Sequence, residues 1–177
     1  MLVHYRGDYR NFYSLLYFYK EVLLVLKIEQ ILRNEKGENV LNDSFDTITI
    51  KAKAIVVKKN GFYGMYNGIT FRKILDCEWE KIVLNGNFIL PYKHSQIALF
   101  DYEGNQILPC EWNEIILYEH GILASQNGLQ GFFKYDGSVL LECVWKRIEP
   151  FREVLIAYRG NRARRTLFDY NGKQREE

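Results

Sequence analysis

Apolar and polar residues alternate in short runs along most of the chain, and glycine or asparagine separates the runs. Ala54-Ile55-Val56-Val57 and Val139-Leu140-Leu141 are two such runs, rich in residues that favour strands. Asn60-Gly61 and Asn127-Gly128 suit two-residue hairpin turns, because both central residues of a type I′ turn need a positive φ angle. The pattern therefore predicts an all-β, antiparallel chain of short strands joined by tight turns.

The pattern repeats about every 33 residues. The motif Cys-x-Trp-x-x-Ile occurs three times, beginning at Cys77, Cys110 and Cys143, and both spacings are 33 residues. It contains all 3 cysteines and all 3 tryptophans of the chain, so coincidence is a poor explanation. Self-similarity at a fixed period indicates a repeat architecture in which each copy is one supersecondary unit.

An aromatic residue marks the same position in every repeat, and a turn glycine recurs in the same phase. We call the aromatic residues the anchors. The anchors are Tyr13, Phe45, Trp79, Trp112 and Trp145, and the turn glycines are Gly37, Gly68, Gly104, Gly137 and Gly172. The predicted units are approximately residues 10–38, 39–72, 73–106, 107–139 and 140–173, within a single repeat domain covering residues 1–177.

Each clear unit is predicted to be a β-meander. In one copy the strands are Glu111 to Leu117, Ile122 to Gln126, Gln130 to Tyr135 and Val139 to Cys143. The last strand runs into the next anchor without turn residues, so a bend or strand switch is expected there. About 33 residues leave little room for a four-stranded propeller blade, so an open, curved array is favoured over a closed propeller.

The N-terminal unit is the least regular one. Its hairpin turn is expected near Glu29-Gln30, which has no turn chemistry, and Arg10 to Lys36 contains neither glycine nor proline. A helical cap on the end of the array is therefore the alternative to a fifth repeat.

The units resemble the WG repeat, a β-rich bacterial repeat. The copy from Asn127 to Gly137 matches best, and Tyr63-Gly64 is a true aromatic-glycine pair. Gln130 replaces the aromatic residue in one copy, and Ile97-Ala98 and Arg165-Thr166 depart from the pattern. The resemblance covers Asn39 to Lys173. It supplies no catalytic residues, and it implies a binding or scaffold role.

Composition narrows the class of protein. Hydrophobic residues make up 47% and charged residues 26%, which is typical of globular domains, and aromatic residues reach 15%. The most apolar stretch, Phe12 to Ile31, contains four charged residues and is too costly to place in lipid. No signal-peptide pattern occurs at the start. We therefore expect a cytoplasmic protein with no membrane partner.

Charge changes sign along the array. The segment from Ser95 to Trp145 contains seven acidic residues and one basic residue. The segment from Lys146 to Glu177 contains nine basic residues and five acidic residues. Both regions are candidate partner-binding surfaces. The acidic candidates are Asp101, Glu103 and Glu119, and the basic candidates are Arg159, Arg162, Arg164 and Arg165.

The sequence carries no catalytic or cofactor motif: no phosphate-binding glycine loop, no His-Glu-x-x-His and no paired carboxylates. Each cysteine stands alone in its repeat, whereas zinc sites need closely spaced ligands, so the cysteines are predicted to be small packing residues. His4, His94 and His120 share no register. The tryptophans are predicted to be core anchors rather than an exposed ladder for sugars.

These observations favour a non-catalytic protein-binding module over an enzyme. A protein inhibitor, or an immunity protein that occludes a toxin or enzyme, would suit such a chain. The alternatives are a carbohydrate or cell-envelope binder and an RNA-binding protein that uses the basic last unit. Nucleic acid is the less favoured partner, because charged terminal strands also serve to block edge aggregation.

Overall fold

The computed structural model describes residues 29–51, 53–160 and 165–176, and all of its regular elements are strands. No helix in this part of the chain could cross a bilayer. The chain forms two compact units, of which the first ends at Trp79 and the second begins at Glu80.

In the described residues, sixteen strands form four antiparallel sheets of four strands each, and every sheet is a meander in which consecutive strands pair. Sheet A contains β1 (Thr47–Lys51), β2 (Ala54–Lys59), β3 (Phe62–Asn67) and β4 (Lys73–Trp79). Sheet B contains β5 (Lys81–Asn85), β6 (Phe88–Lys93), β7 (Gln96–Asp101) and β8 (Gln106–Trp112). Sheet C contains β9 (Glu114–Tyr118), β10 (Gly121–Gln126), β11 (Leu129–Phe133) and β12 (Val139–Trp145). Sheet D contains β13 (Arg147–Phe151), β14 (Val154–Tyr158), β15 (Arg165–Phe168) and β16 (Gln174–Arg175).

The predicted fold class, an all-β array of repeated antiparallel meanders, is confirmed. Four strands fit between successive anchors because none exceeds 7 residues and the turns between them are short. The sheets run from one anchor to the next, so their limits differ from those of the predicted units. The single-domain assignment and the open curvature of the array stay predictions.

The anchor lies in a different strand from the one expected. Trp112 ends the fourth strand of sheet B, whereas the sequence pattern placed it in a strand running on to Leu117. The chain bends at Asn113, whose N–H donates to Ser125 O at 2.8 Å. Glu80 and Lys146 make the equivalent bonds in sheets B and D. The expected strand switch therefore lies after the anchor, where no glycine or proline marks it.

The predicted hairpin turns are confirmed. Asn60 and Gly61 have φ angles of 53° and 88°, and Asn127 and Gly128 have φ angles of 52° and 74°. Gly68 is the exception among the turn glycines, since in sheet A it is Phe71 that adopts a positive φ of 56°. The longer turn there is held by Asn67, whose carbonyl accepts the N–H of Phe71 at 3.0 Å.

The described part of the N-terminal unit is a hairpin. Gln30 pairs with Phe45, and Arg33 pairs with Asn39, as Gln130 pairs with Trp145 and Phe133 with Val139 in sheet C. The expected turn at Glu29-Gln30 was wrong, because Gln30 occupies the third-strand position. The helical alternative is wrong for residues 29–36, and its remainder, like anchor Tyr13, lies outside the described residues.

Three apolar clusters form the core of the part of the chain that the structure describes. One, in the first unit, surrounds Phe45 and joins the N-terminal hairpin to sheet A. In the second unit, one cluster lies between sheets B and C around Trp112, and another lies between sheets C and D around Trp145. Three of the anchors pack edge-on against an aromatic ring of the following sheet: Phe45 on Tyr66, Trp112 on Phe133 and Trp145 on Phe168.

Glycines permit the close approach of stacked sheets. A Cβ on Gly137 would lie 2.6 Å from Ile107 O of sheet B, and one on Gly172 would lie 3.1 Å from Leu140 O of sheet C. Both glycines also have φ angles above 80°. The recurring turn glycine therefore serves the turn and the contact with the preceding sheet at once.

Candidate partner-binding surface

Each sheet carries a row of three paired residues whose chemistry differs from sheet to sheet. Its members lie opposite one another on the first, second and third strands, and we call this set the variable row. The rows are Thr47, Lys58 and Tyr63 in sheet A; Lys81, Tyr92 and Ile97 in sheet B; Glu114, Ser125 and Gln130 in sheet C; and Arg147, Tyr158 and Arg165 in sheet D. Ile97 is buried in the core between sheets B and C, so it serves the scaffold rather than the surface.

Side chains within a row contact one another. Lys81 Nζ lies 5.0 Å from the centroid of the Tyr92 ring. In sheet C, Gln130 Nε2 donates to Ser125 Oγ at 3.4 Å, and that hydroxyl donates to Glu114 Oε2 at 3.4 Å. The same row of the repeat therefore carries a cation over a tyrosine in sheet B and a hydrogen-bonded set with one carboxylate in sheet C.

Gln130 also links two sheets, a role that the repeat pattern alone does not predict. Its Oε1 accepts the N–H of Ile148 in sheet D at 2.7 Å. Gln30 accepts the N–H of Ile48 in the same way at 2.7 Å. Both glutamines lie 15 residues before an anchor, and this shared offset could have indicated the role.

Sheet D has one face against sheet C and an opposite face, which we call the outer face. Ile148, Leu155 and Ala157 lie in the core shared with sheet C. Successive side chains of a strand point to opposite sides, so the alternate residues belong to the outer face. These are Arg147, Glu149, Phe151, Val154, Ile156, Tyr158, Arg165 and Leu167, and the strand register pairs them with one another.

The centre of the outer face is apolar. Ile156 and Leu167 pair across β14 and β15, and both are half-buried. Their equivalents in sheet C are Leu123 and Phe132, which are 3% and 0% exposed because sheet D covers them. Phe151, at the margin, is 54% exposed. The repeat therefore places at this face the residue types that elsewhere form an interface between sheets.

A polar set borders this apolar centre. Arg147 forms an ion pair with Glu149, and its Cζ lies 5.9 Å from the ring centroid of Tyr158. Tyr158 donates its hydroxyl to Glu149 Oε2 at 3.0 Å, and this hydrogen bond raises the pKa of Tyr158. Arg152 Cζ lies 5.2 Å from the Phe151 ring centroid. Each aromatic ring of the face thus already has a cation beside it.

The described residues of sheet D carry a net positive charge. They contain seven bases and four acids between residues 146 and 176, excluding 161–164. On the outer face itself, the charged residues are two arginines, Arg147 and Arg165, and one glutamate, Glu149. The face is therefore apolar at its centre and basic at its border.

The acidic candidates lie in turns of the second unit. Asp101 ends β7, and its two carboxylate oxygens accept the backbone N–H and the side-chain amide of Asn105 at 2.8 and 2.7 Å. Glu103 is exposed in the turn that follows. Glu119 is exposed, with Oε2 4.0 Å from Nε2 of the neighbouring His120. Asp101 therefore has a structural role, and Glu103 and Glu119 remain as solvated carboxylates.

The basic candidates are divided between two roles. Arg159 stacks on an anchor, with Cζ 4.9 Å from the ring centroid of Trp145. Arg165 is exposed and belongs to the variable row of sheet D. Arg162 and Arg164 lie outside the described residues.

The three cysteines lie half-buried on the fourth strands as thiols. A Cβ on Gly64 would lie 2.7 Å from Cys77 Sγ, and one on Gly131 would lie 3.1 Å from Cys143 N, so the two chain segments are in close contact. Burial raises the pKa of the Cys77 and Cys143 thiols, which makes them poor nucleophiles. Among the described residues, no group of three His, Cys, Asp or Glu could hold a metal ion.

The prediction that the tryptophans are core anchors is confirmed. Trp79, Trp112 and Trp145 are 6%, 5% and 5% exposed. A sugar-binding ladder would need these rings to face solvent, so they do not form one.

No protein-family model matches the chain, and no curated protein matches it. Among solved structures, Hsv2 from Kluyveromyces lactis is 15% identical over 66% of this chain, with a TM-score of 0.36. The Neurospora crassa Pan2 WD40 domain is 10% identical over 83%, with a TM-score of 0.33. PorZ from Porphyromonas gingivalis is 11% identical over 82%, with a TM-score of 0.29. The chain spans 42%, 53% and 25% of these proteins, so it is much shorter than they are.

Proposed function

We propose that this chain is a non-catalytic, cytoplasmic protein-binding module of the WG-repeat kind, in which constant anchors build a scaffold and variable rows recognise a partner. The observation that carries the proposal is the variable row itself. Four sheets keep the same register at this position while the residues change from Thr47 and Lys58 to Arg147 and Tyr158. Repeat proteins bind partners in this way, through differing side chains on a constant frame.

A narrower form of the proposal is that the chain is an inhibitor or immunity protein that occludes a toxin or enzyme. Its support is indirect: burial raises the pKa of the Cys77 and Cys143 thiols, Asp101 holds a turn, and Glu103 and Glu119 lie in solvent. A partner protein whose activity falls when this chain is added would support it.

Site-specific photocrosslinking tests the proposal. A benzophenone amino acid would replace one row residue at a time: Lys58, Tyr92, Ser125 or Tyr158. Asn87, an exposed turn residue before β6, is the control position. We expect at least one row position to give a discrete adduct in the native cell extract, and we expect none from Asn87.

The nature of the adduct separates the competing functions. A band that protease removes and nuclease leaves intact supports a protein partner. A band lost to nuclease would indicate RNA, and one lost to glycosidase would indicate a carbohydrate ligand. The absence of adducts from all four rows would contradict recognition through these positions.

A further inference from the structure

We infer that the outer face of sheet D docks an acidic protein segment that carries apolar side chains at its centre. This inference rests on the proposed function and names the partner class for one surface. The face combines the half-buried pair Ile156 and Leu167 with the exposed Phe151, and Arg147 and Arg165 border them.

The apolar centre argues for a protein interface. In sheet C the equivalent residues, Leu123 and Phe132, are covered by a packed sheet, which shows that this meander face can accept another layer. None of the three core clusters of the described chain includes a residue of the outer face. A partner that buried Phe151 and Ile156 would gain the hydrophobic contribution that sheet C already obtains from sheet D.

The charge of the border selects an acidic partner. Complementary charge steers association and disfavours partners of the same sign. A second copy docking through this same face would bring Arg147 and Arg165 against their own equivalents, so self-association here is disfavoured. A segment with carboxylates at its margins would instead complement the net positive charge of sheet D.

Single-stranded RNA fits the face less well. Stacking of bases requires open aromatic rings, whereas Tyr158 lies beside Arg147 and Phe151 beside Arg152. Aliphatic Ile156 and Leu167 offer bases neither stacking nor hydrogen bonds.

Fluorescence anisotropy with four labelled probes tests the inference on the full chain. The first probe is a short peptide of alternating glutamate and leucine. The second replaces leucine with serine, the third replaces glutamate with lysine, and the fourth is single-stranded polyuridylate. We expect saturable binding of the first probe, weaker binding as salt rises, and little binding of the other three.

Variants locate the binding site. Arg147→Glu with Arg165→Glu should weaken binding of the glutamate–leucine peptide roughly tenfold, as expected for two reversed surface charges. Lys134→Glu is the control, because Lys134 is exposed after β11 of sheet C and belongs neither to a variable row nor to the outer face. It should leave the affinity unchanged. Phe151→Ser tests the apolar part, and circular dichroism checks that each variant is folded.

Three outcomes would overturn the inference: equal affinity of the double variant and the parent, tighter binding of polyuridylate than of the peptide, or oligomers that form through this face. The proposed function has a separate readout. If the double variant bound the peptide as the parent does and still gave photocrosslinks from Tyr92 or Ser125, the proposed protein-binding function would be supported. The inference about the outer face would then be wrong.

Discussion

Sheets C and D share one meander and one register, yet their second faces differ. Leu123 and Phe132 of sheet C are covered, whereas the equivalent Ile156 and Leu167 of sheet D are half-buried with arginines around them. The described part of sheet C has four acids and one base, and sheet D is basic. The comparison shows which positions of the repeat are constant and which vary: anchors and turn glycines are kept, while the charges of the variable rows change.

The largest expected difference between sheets C and D is in the stability lost when equivalent aliphatic residues are truncated. Leu123→Ala should lower the free energy of unfolding by about 3 kcal/mol, because it leaves a cavity between sheets C and D. Ile156→Ala, at the equivalent position of sheet D, should cost about 1 kcal/mol, since its side chain already contacts solvent. Urea denaturation followed by tryptophan fluorescence measures both. Equal losses would mean that the outer face is as well packed as the core.

Sequence patterns predicted the scaffold well and the surface poorly. Turn positions were predictable because Asn-Gly at residues 60–61 and 127–128 satisfies a local backbone need. The position of the strand switch at Asn113 was not predictable, because it depends on a hydrogen bond to Ser125 rather than on a glycine or proline. Burial of Trp145 followed from its recurrence in one phase.

The candidate site was predicted only in part. Arg165 was chosen for its charge and does lie in a variable row, but Arg159 stacks on Trp145 and Asp101 holds a turn. Composition cannot show whether a charged side chain is already engaged. The outer face depends on which alternate residues face sheet C, and register settles that only once the strands are paired.

Glycine substitutions test whether close contact between sheets B and C, and not only the turn conformation, requires glycine. Gly137→Ala introduces a Cβ 2.6 Å from Ile107 O at a φ of 86°, so it should cost about 2 kcal/mol or more. Gly128→Ala has a similar φ of 74° but open space around its Cβ, so it should cost about 1 kcal/mol. Thermal unfolding compares the two. Equal costs would show that strain in the turns alone explains the glycines.

A smaller effect concerns the acid sensitivity of sheet D. The N–H groups of Lys173 and Asn171 donate to Asp169 and lower its pKa. The stabilisation this provides is present above the unfolded pKa of about 4 and is lost as pH falls through the lower folded value. Asp169→Asn should keep the turn, as Asn34 does in the N-terminal hairpin, and flatten stability against pH below about 4. An unchanged pH profile would contradict this role for Asp169.

Hydrogen exchange of the full chain, with and without the glutamate–leucine peptide, tests the central claim most directly. We predict that added protection is confined to β13, β14 and β15, while sheets B and C exchange as in the free protein. Protection centred instead on the turns around Glu103 and Glu119, or none at saturating peptide, would contradict recognition through the outer face.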